Sequence, residues 1–471
     1  MNAIRKGVVA ARMSLETDEL TEGRIRTIIR EFDSSNRLEW MTKGQAYYEV
    51  DNDILSAKFN NETKDFKADN RIPHAKYKEQ VDEKISYLLS KEMSYTCNNK
   101  DYLKIVKNAL KDMGYLDEQY NVGYEASNKG IGWMHVYINQ DGKLMVKTIP
   151  SEQCIPVWHD NSHTELDYMI RRYTSAVWRG DSKHIVTNVE VWSPNDVVYY
   201  RLENKVLVID ERRSFDESGG PINHYCQNGP QSWGRVPFVP FKNNMYEMND
   251  LKPIKYLVDE YDKSRSQSAN YIDDLVNYIV KVYGYNSSEE SKFMRQLKKH
   301  IVMFDDLEDG DMKIETPKTD ITAIKEHAEQ VKRDLIEDGQ SVNKDLDKFG
   351  SAPSGVALKF MYSGLELKAN LMAREFKKSF KRLLYFIDHY FEITNVKFQS
   401  DEINIEFNVD MKTDETETIQ NCSNSKGIIS DETIVANHPW AAEDEFDKVK
   451  KQQDESNPFQ DKVPVKDKPD E

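Results

Sequence analysis

A strand interrupted by two prolines runs into what reads as an unusually long helix between residues 235 and 284. Val236, Phe238 and Phe241 sit around Pro237 and Pro240, which cannot donate to a ladder. The strand must therefore be short or lie at a sheet edge. Asn243-Asn244 signals a turn. Asp250 is placed to cap the helix, and Pro253 falls in the first turn, where amides have no intrahelical acceptor. Nothing breaks the pattern over residues 251–283, a span of roughly 50 Å at about 1.5 Å per residue. The ends are apolar, with Tyr256, Leu257 and Tyr261 at one and Ile272, Leu275, Val276 and Ile279 at the other. The centre, Ser264-Arg265-Ser266-Gln267-Ser268-Ala269-Asn270, is small and polar. A helix of this length normally needs an apolar stripe throughout. The waist leaves two possibilities open: a helix spanning two apolar clusters of one domain, or close packing on a similar helix of another subunit.

With 471 residues the chain is long enough for several domains. Its net charge of -16 argues against a tight nucleic-acid binder, because phosphate attraction needs Lys and Arg. It does not argue against a conduit, whose surface must not hold the polymer. Cys97, Cys154, Cys226 and Cys422 are widely separated, show no metal-ligand spacing and fit a reducing compartment. There is no apolar run of membrane-spanning length and no signal-peptide core at the start, so synthesis and assembly in cytoplasm are expected. P-loop, G-x-S-x-G, H-E-x-x-H and paired C-x-x-C motifs are absent from the sequence. His159-Asp160-Asn161-Ser162-His163 offers two imidazoles and a carboxylate, but Asp-Asn-Ser favours a turn, and a solvated loop is expected. The acidic run at 305–311 superficially resembles a calcium loop, yet Leu307 and Thr316 occupy positions that need acids. A charged hairpin turn is the expectation. No cofactor or metal is expected, although Asp305, Asp309 and Asp311 keep a metal-dependent nuclease open as an alternative.

Periodicity divides the rest into an α+β pattern. Ile25, Ile28, Ile29 and Phe32 mark one helical face within residues 1–40, read as an N-terminal arm. Two helices follow over 70–115, one with Val81, Ile85, Leu88 and Leu89, the other with Leu103, Val106 and Leu110. Residues 120–250 read as strands: a hairpin about Asn139-Gln140-Asp141-Gly142, then 168–173, 186–192 and 197–202, with a loop over 214–232. Further on, 301–304 and 312–314 face each other across the acidic turn. A helix is predicted over 321–342 and another over 354–390, the second with Leu365, Ala369, Met372, Phe376, Phe380, Leu383 and Ile387 on one face. Residues 403–409 form a strand, and 454–471, rich in Pro and charge, are expected to be disordered. The basic runs Lys298-Lys299-His300 and Lys377-Lys378…Lys381-Arg382 read as solvated faces.

Four ordered blocks resemble the portal proteins of long-tailed double-stranded DNA bacteriophages. Val236-Pro237-Phe238-Val239-Pro240-Phe241-Lys242-Asn243-Asn244 looks like the family's "vPvv.F.NN" strand. Leu257-Val258-Asp259, Tyr261-Asp262, Ser266, Ala269-Asn270 and Gly284 follow the pattern of the helix after it. Asp69-Asn70-Arg71-Ile72-Pro73-His74, then Val81-Asp82-Glu83-Lys84 and Tyr87-Leu88-Leu89, is similar to "NNRi.hn....lVd.k..YllG", with Ser90 where the family often has Gly. Ser354-Gly355-Val356-Ala357-Leu358-Lys359 looks like "SG.ALk" and Gly427-Ile428-Ile429-Ser430-Asp431-Glu432-Thr433 like "g.iS.eT". Residues 1–40 and the last eighteen match nothing in that family.

The resemblance implies a portal-like subunit with an α/β wing (41–249), a two-helix stem (250–283 and 319–342) and a small clip inserted at 284–318. A tunnel loop (343–354), a long bent helix with a returning strand (355–412) and a helical crown (413–453) would complete it. It implies a non-enzymatic ring of about twelve subunits, closed head-to-tail, at one capsid vertex of the virion. Double-stranded DNA would pass through it. Terminase large subunit, a head-completion adaptor, and major capsid and scaffolding proteins are the implied partners, with no membrane. Another phage head structural or adaptor protein is the remaining alternative. In the tunnel loop, Asn343, Lys344, Lys348, Gly350 and Ser351 would meet DNA, with Asp345 and Asp347 keeping the contact weak. Ser264, Ser266, Ala269 and Asn270 would form the stem's subunit interface. Phe293, Ile301, Val302 and Ile314 would build the clip.

Overall fold

The computed structural model describes residues 20–57, 68–203, 206–216, 222–225, 231–274, 279–282, 312–315, 321–342, 355–409, 415–441 and 445–456. They form an α+β protein that divides into two units, residues 1–341 with 365–409, and residues 342–364 with 410–471.

The first unit opens with α1 (Glu22–Asp33) and α2 (Asn36–Tyr48). Thr21 and Ser35 cap them by accepting the amides of Arg24 and Leu38. The face predicted from Ile25, Ile29 and Phe32 is buried. It does not form a free arm. These residues join Trp133, Ile149, Met169, Ile170 and Val189 in one core cluster, because a lone amphipathic helix must bury its stripe against a sheet.

Next come α3 (Lys76–Leu89), β1 (Ser94–Thr96), α4 (Lys100–Asp112) and α5 (Tyr115–Lys129). α3 and α4 carry the predicted faces. α5 falls where strands were expected to begin. Its packing face is built from Val122, Gly123 and Ala126 with buried Gln119, Ser127 and Asn128, so it has little apolar periodicity. Gly123 explains the economy: a Cβ there would stand 2.4 Å from a methyl of Leu89 on α3.

The hairpin of β2 (Ile131–Ile138) and β3 (Leu144–Ile149) forms as predicted. Asn139 Oδ1 accepts the amides of Asp141 and Lys143, and Gly142 supplies a φ of +75°. A five-stranded antiparallel sheet follows in the order β4 (Cys154–Trp158), β5 (Leu166–Arg179), β6 (Ser182–Trp192), β7 (Val197–Glu203) and β8 (Val206–Ile209). β4 and β8 were not anticipated. β9 (Phe238–Lys242) pairs only with β2, at the edge of a three-stranded sheet, as its prolines require.

α6 spans Lys255–Asp274, not residues 251–283. Residues 251–254 are turns, and Ile279–Val282 is a strand, β10, paired antiparallel with β11 (Met312–Glu315). The run Ile279-Val280-Lys281-Val282 is β-branched at three of four positions, and a partner strand outweighs weak helical propensity there. The expected partner of 312–314, residues 301–304, lies outside the described residues. α7 (Ile321–Asp338) packs on α6. α8, 39 residues over Gly355–Ile393, buries every residue of its predicted stripe. β12 (Asn404–Glu406) pairs with β1.

α8 closes the edge that β9 leaves open. Ser379 donates its hydroxyl to the Pro240 carbonyl at 2.6 Å, and Phe376 meets Phe241 edge-on at 4.9 Å. The second unit holds the start of α8 and three short helices, α9 (Glu415–Asn424), α10 (Asp431–Ala436) and α11 (Glu445–Ser456). α11 carries helix two residues past the point where disorder was expected to begin. Ser430 accepts the Thr433 amide, so the S-D-E-T motif is an N-cap.

Phe376→Ala is expected to lower stability by about 3–5 kcal/mol in urea unfolding, since it empties a closed core position. Lys377→Ala, on the exposed face beside it, is expected to stay within about 0.5 kcal/mol.

Candidate functional site

The polar waist of α6 faces the chain's own residues 69–74. This segment is neither helix nor strand, and its alternate amides point at the helix. The amide of Asn70 donates to Asn270 Oδ1 (2.5 Å), that of Ile72 to Ser266 Oγ (3.0 Å) and that of His74 to Asp262 Oδ1 (2.9 Å). Alternate amides of an extended chain repeat at about 6.6 Å, and every fourth helix residue at about 6.0 Å. The two ladders therefore match, running in opposite directions. Pro73, which has no amide to donate, falls between rungs.

Side chains extend the seam at both ends. Asn70 Nδ2 donates to Asp273 (2.7 Å). Asp262, with no exposed surface, also receives Asn52 Nδ2 at 2.6 Å and His74 Nδ1 at 2.9 Å. The His74 ring stands edge-on to Tyr261 at 4.9 Å.

A second group fixes the start of α6. Lys255 Nζ donates to Asp53 (2.6 Å) and Asp259 (2.7 Å), and Tyr47 donates its hydroxyl to Asp259. Burial alone would lower the Lys255 pKa, but the two carboxylates outweigh it and raise it above the usual range.

The third group lies beneath both long helices. Lys84, fully buried on α3, donates to Asn243 Oδ1 (2.7 Å) and to Asp250. Asp250 is therefore not the helix cap predicted for it; its carboxylate is the counter-charge of Lys84, with Lys368 of α8 at 3.7 Å. Burial would raise its pKa, yet Lys368 and Lys84 hold it below the usual carboxylate range. Gln80 and Lys368 also donate to the carbonyls of Leu335 and Gly339 at the end of α7 (2.9 and 3.1 Å). They satisfy acceptors that a helix end leaves open.

Glu247 anchors the loop between β9 and α6. It contacts Arg37 (2.7 Å), His163 (2.7 Å) and Lys242 (3.1 Å). Burial works against its charge, but these groups win and hold its pKa below normal. His163 is thus an ion-pair partner and His159 pairs with Asp167, so they do not converge on a metal. Among the described residues no cluster of three or more His, Cys, Asp or Glu is arranged to hold one.

The predicted site residues fall as follows. Ser264 and Ser266 are 5% and 0% exposed within a single chain, and Ser266 accepts the Ile72 amide. They are small because residues 69–74 and the neighbouring helix lie against them. Ala269 and Asn270 are half-buried. Ile314 lies in β11, opposite Val280. Asn343, Lys344, Lys348, Gly350, Ser351, Phe293, Ile301 and Val302 lie outside the described residues. Sequence reading missed the roles of Asp262, His74, Lys84 and Asp250, all of which it had quoted or named. The pairs His74–Asp262 and Lys84–Asp250 are 188 and 166 positions apart in sequence, and only the fold brings them together.

Asp262→Ala should remove the acceptor of one buried and two part-buried donors, at up to about 1–3 kcal/mol each. Hydrogen exchange should then rise by about an order of magnitude or more at the His74 amide; unchanged exchange there would contradict the seam. Asp250 and Glu247 both have lowered folded-state pKa values. The stability they supply is present above the unfolded carboxylate value, about 4, and lost as pH falls through their folded values. Melting should therefore be flat near neutrality and fall in acid. Glu247→Gln should cost about 3–5 kcal/mol at pH 7 and flatten that acid slope.

The sequence blocks that carry the seam belong to a wider likeness. The family model "Phage portal protein, SPP1 Gp6-like" matches residues 32–458. A portal protein of Bacillus phage SPP1 is 29% identical over 434 residues, covering 89% of this chain and 84% of that protein. A portal protein of Clostridium phage phiCD119 is 30% identical over 441 residues, covering 88% and 92%. The chain belongs to the SPP1 Gp6-like family of phage portal proteins.

Proposed function

We propose that this chain assembles into a ring of about twelve copies, closed head-to-tail, at one vertex of a phage head. The ring gives double-stranded DNA its way in during packaging and out during ejection. The observation that carries this reading is the family match along residues 32–458. Portal proteins are structural components of the virion, not enzymes, so ATP hydrolysis falls to a separate terminase. The nuclease alternative rested on Asp305, Asp309 and Asp311, which lie outside the described residues, and family membership does not favour it. No helix among the described residues is long and apolar enough to cross a membrane.

In this reading α6 and α7 are the stem, and the seam is its foundation. A helix pair beside moving DNA must transmit load to the body of the subunit without sliding. Lys84, Asp250, Lys255 and Asp262 hold it with charged hydrogen bonds, which are directional and stronger than neutral ones. Residues 284–318 form the clip that meets terminase and the head-completion adaptor. Capsid and scaffolding proteins meet the outer body. Residues 343–354 are the tunnel loop of this reading, where Lys344 and Lys348 touch phosphates in passing and Asn343, Gly350 and Ser351 line the channel beside them. Ala269 and Asn270 remain candidates for contact between stems.

Purified protein should appear as rings with an axial hole in negative-stain images. Changing Lys344 and Lys348 together to Glu should leave those rings intact, because exposed loop charges contribute little to stability. Packaged DNA per head should fall. Normal packaging would remove both lysines from the channel, and loss of the ring would make the loop a structural interface.

A further inference from the structure

The five-stranded sheet has one irregular outline. β4 accompanies β5 only as far as Arg171, and β7 accompanies β6 only from Thr187 onward. Beyond both points β5 and β6 pair with each other alone, from Ser175↔Val186 to Arg179↔Ser182. The result is a two-stranded ribbon projecting from the sheet, with no further strand on either side among the described residues. Such ribbons are marginally stable in water unless something covers a face.

One face of this ribbon is apolar. Directly opposed residues share a face, and so do alternate residues along a strand. Ala176↔Ile185 and Trp178↔Lys183 therefore lie on the same side as Arg172↔Val189. Within the sheet that side is covered: Val189 is fully buried, and Arg172 is paired with Asp33 at the end of α1. On the ribbon it is bare. Trp178 is 65% and Ile185 75% exposed. A tryptophan and an isoleucine on adjacent rungs of an uncovered ribbon form a patch of the kind that marks protein contacts.

We infer that the Trp178–Ile185 face of the β5–β6 ribbon docks on the neighbouring copy of this chain. The inference rests on the portal reading. A ring closed head-to-tail requires each subunit to offer two different surfaces, one reaching out and one receiving. The ribbon reaches out. Its charge suits the same occupant. The tip sequence has Arg179 and Lys183 against one acid, Asp181, whereas the chain as a whole carries -16, so the tip is opposite in charge to a second copy.

The test places a photoreactive residue on the ribbon of the full chain, Trp178→p-benzoylphenylalanine, and irradiates purified rings. Covalent dimers and a ladder of higher species are expected, with the cross-link mapping to another copy. In parallel, Trp178→Ser combined with Ile185→Ser should keep the native circular dichroism and melting temperature. It should raise the protein concentration needed for rings at least tenfold by light scattering. Rings that yield only monomeric products on irradiation would overturn the inference and leave the portal reading standing. Cross-links that go to added DNA and not to protein would overturn it in favour of a nucleic-acid contact. A wild-type chain that stays monomeric at all concentrations would overturn both.

Discussion

Three amides in a segment that is neither helix nor strand, those of Asn70, Ile72 and His74, have no strand to receive them, and much of the architecture follows from how they are satisfied. A buried amide left unpaired costs as much as a lost hydrogen bond. The acceptors come from a helix, at positions 270, 266 and 262, which sets the composition of that helix. Apolar side chains there would be unable to accept, and large polar ones would hold the segment too far away. The small polar waist is thus an internal acceptor row. Asp262 then draws in Asn52, and the adjoining Lys255–Asp53 contact fixes the start of the same helix to the α2–α3 connection.

Charge plays an opposite part inside and outside. The chain is strongly acidic, yet its buried junction is organised by lysines: Lys84 and Lys368 around Asp250, and Lys255 between Asp53 and Asp259. A buried ion pair contributes little net stability against a hydrophobic substitute, because desolvation offsets the attraction. Its value lies in position, since a charged donor is satisfied only by a particular acceptor at short range. Lys84 and Lys368 join α3 and α8 to the loop before α6, and Lys255 ties the start of α6 to Asp53, positions that apolar packing alone would leave free to drift.

Much of this was legible in the sequence, but unevenly. The stripe from Leu365 to Ile387 announced α8 because seven large apolar residues at helical spacing admit few other readings. The prolines of β9 announced an edge strand for a stereochemical reason that context cannot override. α5 stayed hidden because its packing relies on Gly123, where closeness replaces hydrophobic bulk. α6 was drawn too long because no local signal separates Ile272 from Ile279; the strand pairing that ends the helical reading comes from residues 312–315. Asp250 had the right chemistry for a cap and a stronger claim on it 166 positions away. The motif residues of the seam were visible one by one, but a pairing of helix side chains with extended backbone has no sequence period of its own.

The seam's two repeats are close without being equal. Each rung adds a misfit of roughly 0.6 Å between extended chain and helix. Over three rungs hydrogen-bond geometry absorbs this; over many it would not. One step of four residues along the helix would set an amide against Val258, whose buried side chain accepts nothing. The seam thus resists a shift in that direction, and in the other the Lys255–Asp53 contact at the start of the helix opposes it.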